Sequence, residues 1–186
     1  MQYIKTVPPV AKPLTLDELK AHLRVTHAAD DLYITALGDA AILAVENHTF
    51  KQLMLATWVL LLDDFPCIIV IDKIPISSIT TIKYYDADNA LQTFDAANYT
   101  VEKRTNPATI KLNPNKEWPE TYSTINAVEI TFIAGYADAA AVPDPFKHAM
   151  KLICGNLYTY RDNLSQKAEM TRASEVLLQP YTKPVI

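Results

Sequence analysis

Four histidines, two cysteines and three sets of neighbouring aspartates are the side chains of this 186-residue sequence that could bind a metal or move a proton. Asp30-Asp31, Asp63-Asp64 and Asp86 with Asp88 each fall where a helix should start or a turn should form. At such places an aspartate serves the backbone by capping or through an Asx-turn, so general acid/base work is the weaker reading. His22 and His27 are five residues apart and straddle the expected end of a helix, so they cannot share a face as an i, i+4 ligand pair would. His48 and His148 stand isolated, and Cys67 and Cys154 lack CxxC spacing and read as two buried thiols. With Gly38, Gly135 and Gly155 as the sole glycines, no phosphate-cradling loop can be built, and no GxGxxG, P-loop, HExxH or GxSxG string occurs. The expectation is a protein with no catalytic residues, no metal and no cofactor.

Charge narrows the partners. Seventeen basic residues are scattered and outnumbered by 21 acidic ones, for a net charge of -4. A duplex binder concentrates Lys and Arg into a patch that displaces counterions, so tight sequence-independent DNA binding is not expected. The apolar fraction of 49% and the charged fraction of 20% are those of an ordinary globular chain. No apolar run approaches the roughly 20 residues of a membrane span, and MQYIKTVPPV lacks the charged head and apolar middle of a signal peptide. These features predict a cytosolic product with no membrane partner. Ten tyrosines and two tryptophans supply large side chains with a polar handle, suited to the core and to protein contacts.

The elements that must hold these residues can be read from periodicity. Thr15 with Glu18 forms a capping-box pattern, Leu14 can staple onto Leu19, and a short helix should run to about Val25. Asp30 or Asp31 opens a second helix, with Leu32, Ala36, Leu37, Ala40, Ala41, Ala44, Val45 and His48 as its apolar stripe. From Thr57 the period changes to two. Strands are predicted over residues 57–62, 68–71, 79–85, 91–94, 99–102, 109–112 and 127–134, with Asn89 supplying a left-handed turn residue. Gly135 frees the backbone at the end of the last strand. Pro143 and Pro145 then break and restart the chain, with Asp144 as N-cap of a long helix whose stripe is Phe146, Met150, Ile153, Leu157 and Tyr160. Gly155 interrupts that helix at a cost of about 1 kcal/mol against alanine, which fits a close approach of another backbone. The fold class predicted is α+β, mainly α: a small helical bundle with a central antiparallel β insertion. It divides into residues 1–56 (helical hairpin), 57–136 (β insertion), 143–164 (completing helix) and 165–186 (C-terminal segment), one structural unit overall.

The succession LTLDELKAHLRV, Asp30-Asp31 before VENHT, ATWVLLLDDFP, IPISSI, IKYYDADN, Trp118-Pro119, ITFIAGY, VPDPFKHAM, LYTYRD and LLQPY resembles the head-tail connector, or adaptor, proteins of tailed bacteriophages and prophages. The likeness spans nearly the whole chain. It departs at Thr49-Phe50-Lys51, where such proteins often read Thr-Gly-Arg, and at Asn89, which replaces a hairpin glycine. The resemblance implies a non-enzymatic virion subunit, made in the bacterial host cytoplasm and located in the neck. It would form a homo-oligomeric ring below the portal protein, with DNA passing through the channel without specific binding. A head-completion (stopper) or tail-completion protein would dock on it. Tyr158, Arg161, Leu177, Leu178 and Tyr181 are the residues assigned to partner binding, with the last three expected to be buried on assembly. Two other classes fit the residues: a DNA-binding accessory protein resting on Lys147, Lys151, Arg161 and the tyrosines, and a small hydrolase using dispersed Asp and His.

Overall fold

The computed structural model describes residues 1–160 and 171–182. It divides into two compact units, a β unit of Met1–Val10 with Met54–Ala137 and a helical unit of Ala11–Leu53 with the chain from Asp138 onward.

The β unit is built on alternation. Strand β8, Val128–Ala134, alternates buried and half-buried side chains along its whole length, the pattern of a strand with one face on a core. It is the middle of a five-stranded sheet, flanked by β2 (Ala56–Leu62) and β4 (Ile76–Tyr85), with β1 (Gln2–Val7) and β5 (Leu91–Phe94) at the edges. Every pairing is antiparallel, and Leu60 and Ile82 both lie opposite Ile130. A second sheet orders β3 (Ile69–Ile71), β7 (Ala108–Leu112) and β6 (Tyr99–Glu102). Leu60, Ile82, Ile130 and Phe132 from the first sheet share one buried cluster with Ile69, Ile71 and Ile110 from the second. Trp118 packs against this cluster, its ring stacked on Phe65 with centroids 4.6 Å apart and planes 4° from parallel.

Three of the aspartates singled out by the sequence serve turns and loops in this unit. Asp86 accepts from the amides of Asp88 and Ala90 at 3.1 and 2.9 Å and from Gln92 Nε2 at 2.7 Å, around Asn89 at φ +61°. Asp63 accepts from the Asn126 amide at 2.9 Å, and Asp64 from the Phe65 amide and the Thr121 hydroxyl at 2.7 and 2.9 Å. Gly135, at φ +122°, occupies a position where a Cβ would stand 2.3 Å from the Met54 carbonyl oxygen. Its own amide donates to Pro75 O at 2.8 Å.

Strand β1 was not expected from the sequence. Its residues are β-prone, but among them Tyr3 is half-buried and the others are exposed, so the strand has almost no hydrophobic pattern to announce it. Tyr3 secures it: its hydroxyl donates to Val70 O at 3.4 Å and accepts from the Asp72 amide at 3.0 Å.

In the helical unit α1 (Leu16–Leu23) carries the full capping box. The Thr15 hydroxyl accepts from the Glu18 amide at 3.2 Å, and the Glu18 carboxylate accepts from the Thr15 amide at 2.8 Å. Such a cap contributes about 1 kcal/mol. Helix α2 (Asp31–Thr49) buries Ile34, Gly38, Ala41, Val45 and Thr49, at the three-and-four spacing of a single face. It packs mainly on α3 (Asp144–Thr159), which buries Phe146, Ala149, Met150, Ile153 and Cys154. Gly38 lets α1 come close, since a Cβ there would lie 2.7 Å from Leu19 Cδ1. Buried Glu46 receives the Gln52 amide group at 2.5 Å and the Leu53 N–H at 3.0 Å, tying the chain beyond α2 back to its last turns. Helix α4 (Arg172–Leu178) is capped by Thr171, whose hydroxyl accepts from the Ser174 amide at 3.2 Å, and runs into a 3-10 turn at Gln179–Tyr181.

Six expectations need correction. The described residues hold eight strands beside four α-helices, so the fold is mixed α+β and not mainly α. The first ten residues belong to the β unit and leave the predicted 1–56 hairpin, and the chain forms two compact units, not one. The N-cap of α3 is Pro143, with Asp144 and Pro145 inside the first turn, because a proline at either of the first helical positions removes no hydrogen bond. On α2 the predicted stripe is rotated: Leu32, Ala36 and Ala40 are exposed, and Ile34 and Gly38 are buried in their place. Cys67 is exposed, whereas Cys154 is the buried thiol, its pKa pushed up to about 11 by burial.

Candidate interaction surfaces

The structure gives the singled-out residues intramolecular work. Tyr158, in the last turns of α3, donates from its hydroxyl to Asp30 Oδ2 at 2.5 Å and lies tilted against Tyr33 with ring centroids 6.2 Å apart. It therefore ties the end of α3 to the start of α2. Leu178 is fully buried within the single chain, and Tyr181 packs on buried Phe146 with centroids 4.7 Å apart. The expectation that Leu178 waits for assembly to be covered is corrected: the packing of α4 on α3 already buries it. Leu177 is half-buried, and Arg161 lies outside the described residues.

What α4 does leave open is Val176, 62% exposed, beside Phe50, 54% exposed. Both line a cavity of about 490 Å³ together with His48, Arg172 and Gln179. Phe50 is the C-cap of α2 and holds φ +57°, a left-handed conformation that costs an L-residue roughly 1–2 kcal/mol. The sequence signal was present in the departure Thr49-Phe50-Lys51, where a glycine would take that conformation freely.

Two more surfaces lie on the backs of α2 and α3. Leu32 at 89% and Leu43 at 55% exposure bracket exposed Ala36 and Ala40 on the side of α2 opposite its buried face. Between residues 32 and 45 this helix has one charged side chain, Asp39, which pairs with Lys12 at 2.5 Å. An apolar cavity of about 370 Å³, lined by Leu14, Leu19, Ile42 and Met150 among others, adjoins Lys12 and Asp39. The back of α3 differs. His148 is exposed, Lys147 and Lys151 are half-buried, and His22 of α1 comes close to them. Burial, then the positive charges of Lys151 and His148, hold the His22 pKa below its usual value. The hydrogen bond from the Thr15 amide holds Glu18 below the usual carboxylate range, with Lys151 and Lys147 adding to the effect. Gly155 lies in this region, and a Cβ there would meet His22 Nε2 at 3.6 Å, an ordinary contact distance.

Among the described residues no group of three or more His, Cys, Asp or Glu side chains converges. No described helix is long and apolar enough to cross a membrane. No protein-family model and no curated protein sequence matches the chain. Solved structures do. A chain in the neck of an empty gene transfer agent (GTA) particle computed with C6 symmetry superposes with a TM-score of 0.83 at 21% identity, covering 100% of this chain and 97% of that one. The fold is shared end to end. A chain of the virion of a native gene transfer agent particle gives 0.83 at 22% identity, and one from the neck of a native particle computed with C12 symmetry gives 0.77 at 20%, each again covering 100% and 97%.

Proposed function

We propose that this chain is a structural head-tail connector, or adaptor, of a tailed-phage-like particle. It forms a ring below the portal, extends the DNA channel and presents the docking surface for a stopper or tail-completion protein. One observation carries the reading: both compact units, from the first strand to the last helix, match a single chain in a symmetric particle neck, with almost nothing left over on either side. An isolated common domain would match in part. Two units both matched along the full chain argue for the shared role more strongly than either unit would.

The chemistry agrees. Asp63, Asp64 and Asp86 accept hydrogen bonds from backbone amides, which is structural work. A net charge of -4 suits a subunit around a channel through which DNA must slide, because strong phosphate binding would hold the genome in place. The closing of a ring requires head-to-tail contacts between unlike patches, and the helical unit offers an apolar back on α2 and a basic back on α3.

Deleting the gene in a strain that produces the particle tests this. Filled heads and free tails should accumulate separately and rejoin when the wild-type chain is supplied in trans. Normally joined particles from the deletion strain would overturn the reading. Retention of the purified chain on duplex DNA, falling steeply with salt, would favour the DNA-binding alternative instead.

A further inference from the structure

Helix α2 is apolar nearly all round, a composition proper to an interior helix, yet one side faces solvent. Along that side Leu32, Ala36, Ala40 and Leu43 form a seam roughly 16 Å long at 1.5 Å rise per residue. Large residues at its ends and small ones in the middle suit close approach of another helix. No lysine or arginine lies in α2, so a nucleic acid or an anionic membrane has nothing to grip there.

The matching patch is on the same chain. Beyond Asp144 in its first turn, the charges of α3 are all basic: Lys147, His148 and Lys151. Of the acids of α2, Asp31 pairs with Lys20 and Glu46 is buried, so Asp39, in a half-exposed pair with Lys12, is the acid presented on its outer side. Gly155 faces the end of α1 in its own chain, where an added Cβ would meet His22 and Leu23 at 3.6 and 3.9 Å, so the surface offered beside it is the shared α1–α3 edge. Because α2 and α3 bury their facing sides against each other, their backs point away from each other. Copies placed side by side would bring one back against the other without a twofold axis, as a ring demands.

The geometry points to the back of α2 in one copy packing on the α1–α3 back of the next copy, Ala36 and Ala40 crossing at the α1–α3 edge and Asp39 lying toward Lys151. This rests on the ring-forming role proposed above and names the surfaces that build the ring. A photo-activated cross-linking residue placed at Ala40, in particles complemented with that chain, should yield an adduct of two copies. Its second site should fall within residues 16–24 or 144–159. An α2-to-α2 adduct, an adduct with a different protein, or no adduct from chains demonstrably present in necks would overturn the contact while leaving the connector role standing. If wild-type chain is absent from necks, the connector role fails, and the contact with it.

Substitution gives an independent reading. Ala40→Lys sets like charges against Lys147 and Lys151 and should lower ring incorporation about tenfold or more relative to Ala40→Glu. Both variants should keep the wild-type circular dichroism, since residue 40 is exposed in the single chain. Equal incorporation of the two would overturn the charge pairing.

Discussion

Alanine at two glycines should move stability in opposite directions. At Gly155 the backbone is helical and the added methyl group meets His22 Nε2 at 3.6 Å and Leu23 Cδ2 at 3.9 Å, ordinary contacts that require no movement. Removing a helix-interior glycine should then stabilise the helical unit by about 0.5–1 kcal/mol. At Gly135 the same methyl group falls 2.3, 2.4 and 2.6 Å from Met54 O, Met54 C and Leu55 N, all backbone atoms that no rotamer change can clear. The φ of +122° adds conformational strain of roughly 1–3 kcal/mol. With forced displacement of the segment that carries the Met54–Tyr136 bridge, the loss should reach about 3–5 kcal/mol. The two effects can be separated in one urea titration. Both tryptophans, Trp58 and Trp118, belong to the β unit, so their fluorescence follows that unit while far-UV circular dichroism weights the helices. Gly135→Ala should shift the fluorescence midpoint strongly downward, and Gly155→Ala should raise the dichroism midpoint slightly, each with unchanged slope. A Gly135→Ala loss below about 1 kcal/mol, or a destabilising Gly155→Ala, would refute the use of these contact distances.

Two further outcomes follow from buried groups. Burial, opposed by the hydrogen bond from the Asp72 amide, pushes the Tyr3 hydroxyl up to about 12. The folded β unit therefore holds that proton where the unfolded chain releases it, so stability is intact below pH 10 and declines as pH rises from about 10 to about 12. Tyr3→Phe should flatten that decline, and an alkaline limb identical to wild type in fluorescence melts would remove Tyr3 as its cause. Leu178→Ala should destabilise the free chain by about 2–5 kcal/mol, since the side chain is fully buried without any partner. Val176→Ser, at an exposed position, should stay within about 0.5 kcal/mol, and equal losses by thermal denaturation would mean that α4 is packed otherwise.

Seven of the eight strands were legible because alternation and turn chemistry agree there. β8 shows it best: its period of two, the glycine at its end and the prolines beyond specify a strand followed by a restarted helix. β1 escaped because an exposed edge strand has little apolar pattern to display. The capping box at Thr15 and Glu18 was readable since it depends on residues three apart. The tie of Glu46 to Gln52 and Leu53 was not, because nothing in VENHT marks a glutamate that will be buried by the returning chain. Among the partner-binding candidates, Leu178 was misjudged for a related reason. A short apolar segment after a polar connection looks unattached in sequence, whereas in three dimensions it covers its own bundle.

The rotated stripe on α2 carries the functional argument. A sequence stripe is inferred on the assumption that one apolar arc means one interior. Helix α2 has apolar residues on two arcs: Ile34, Gly38, Ala41 and Val45 are buried within the helical unit, Gly38 against Leu19 of α1, while Leu32, Ala36, Ala40 and Leu43 face outward. Averaged over the helix they blur into one wide stripe, and the centre of that stripe falls between the true faces. A chain that folds alone and works alone gains nothing from leucines at both ends of an exposed helical seam, where each leaves apolar surface in water at about 25 cal/mol per Å². A subunit that meets its own copies around a ring does, because burial of the second arc is then deferred from folding to assembly. The ambiguity in the sequence pattern and the exposed seam in the fold thus have the same physical origin.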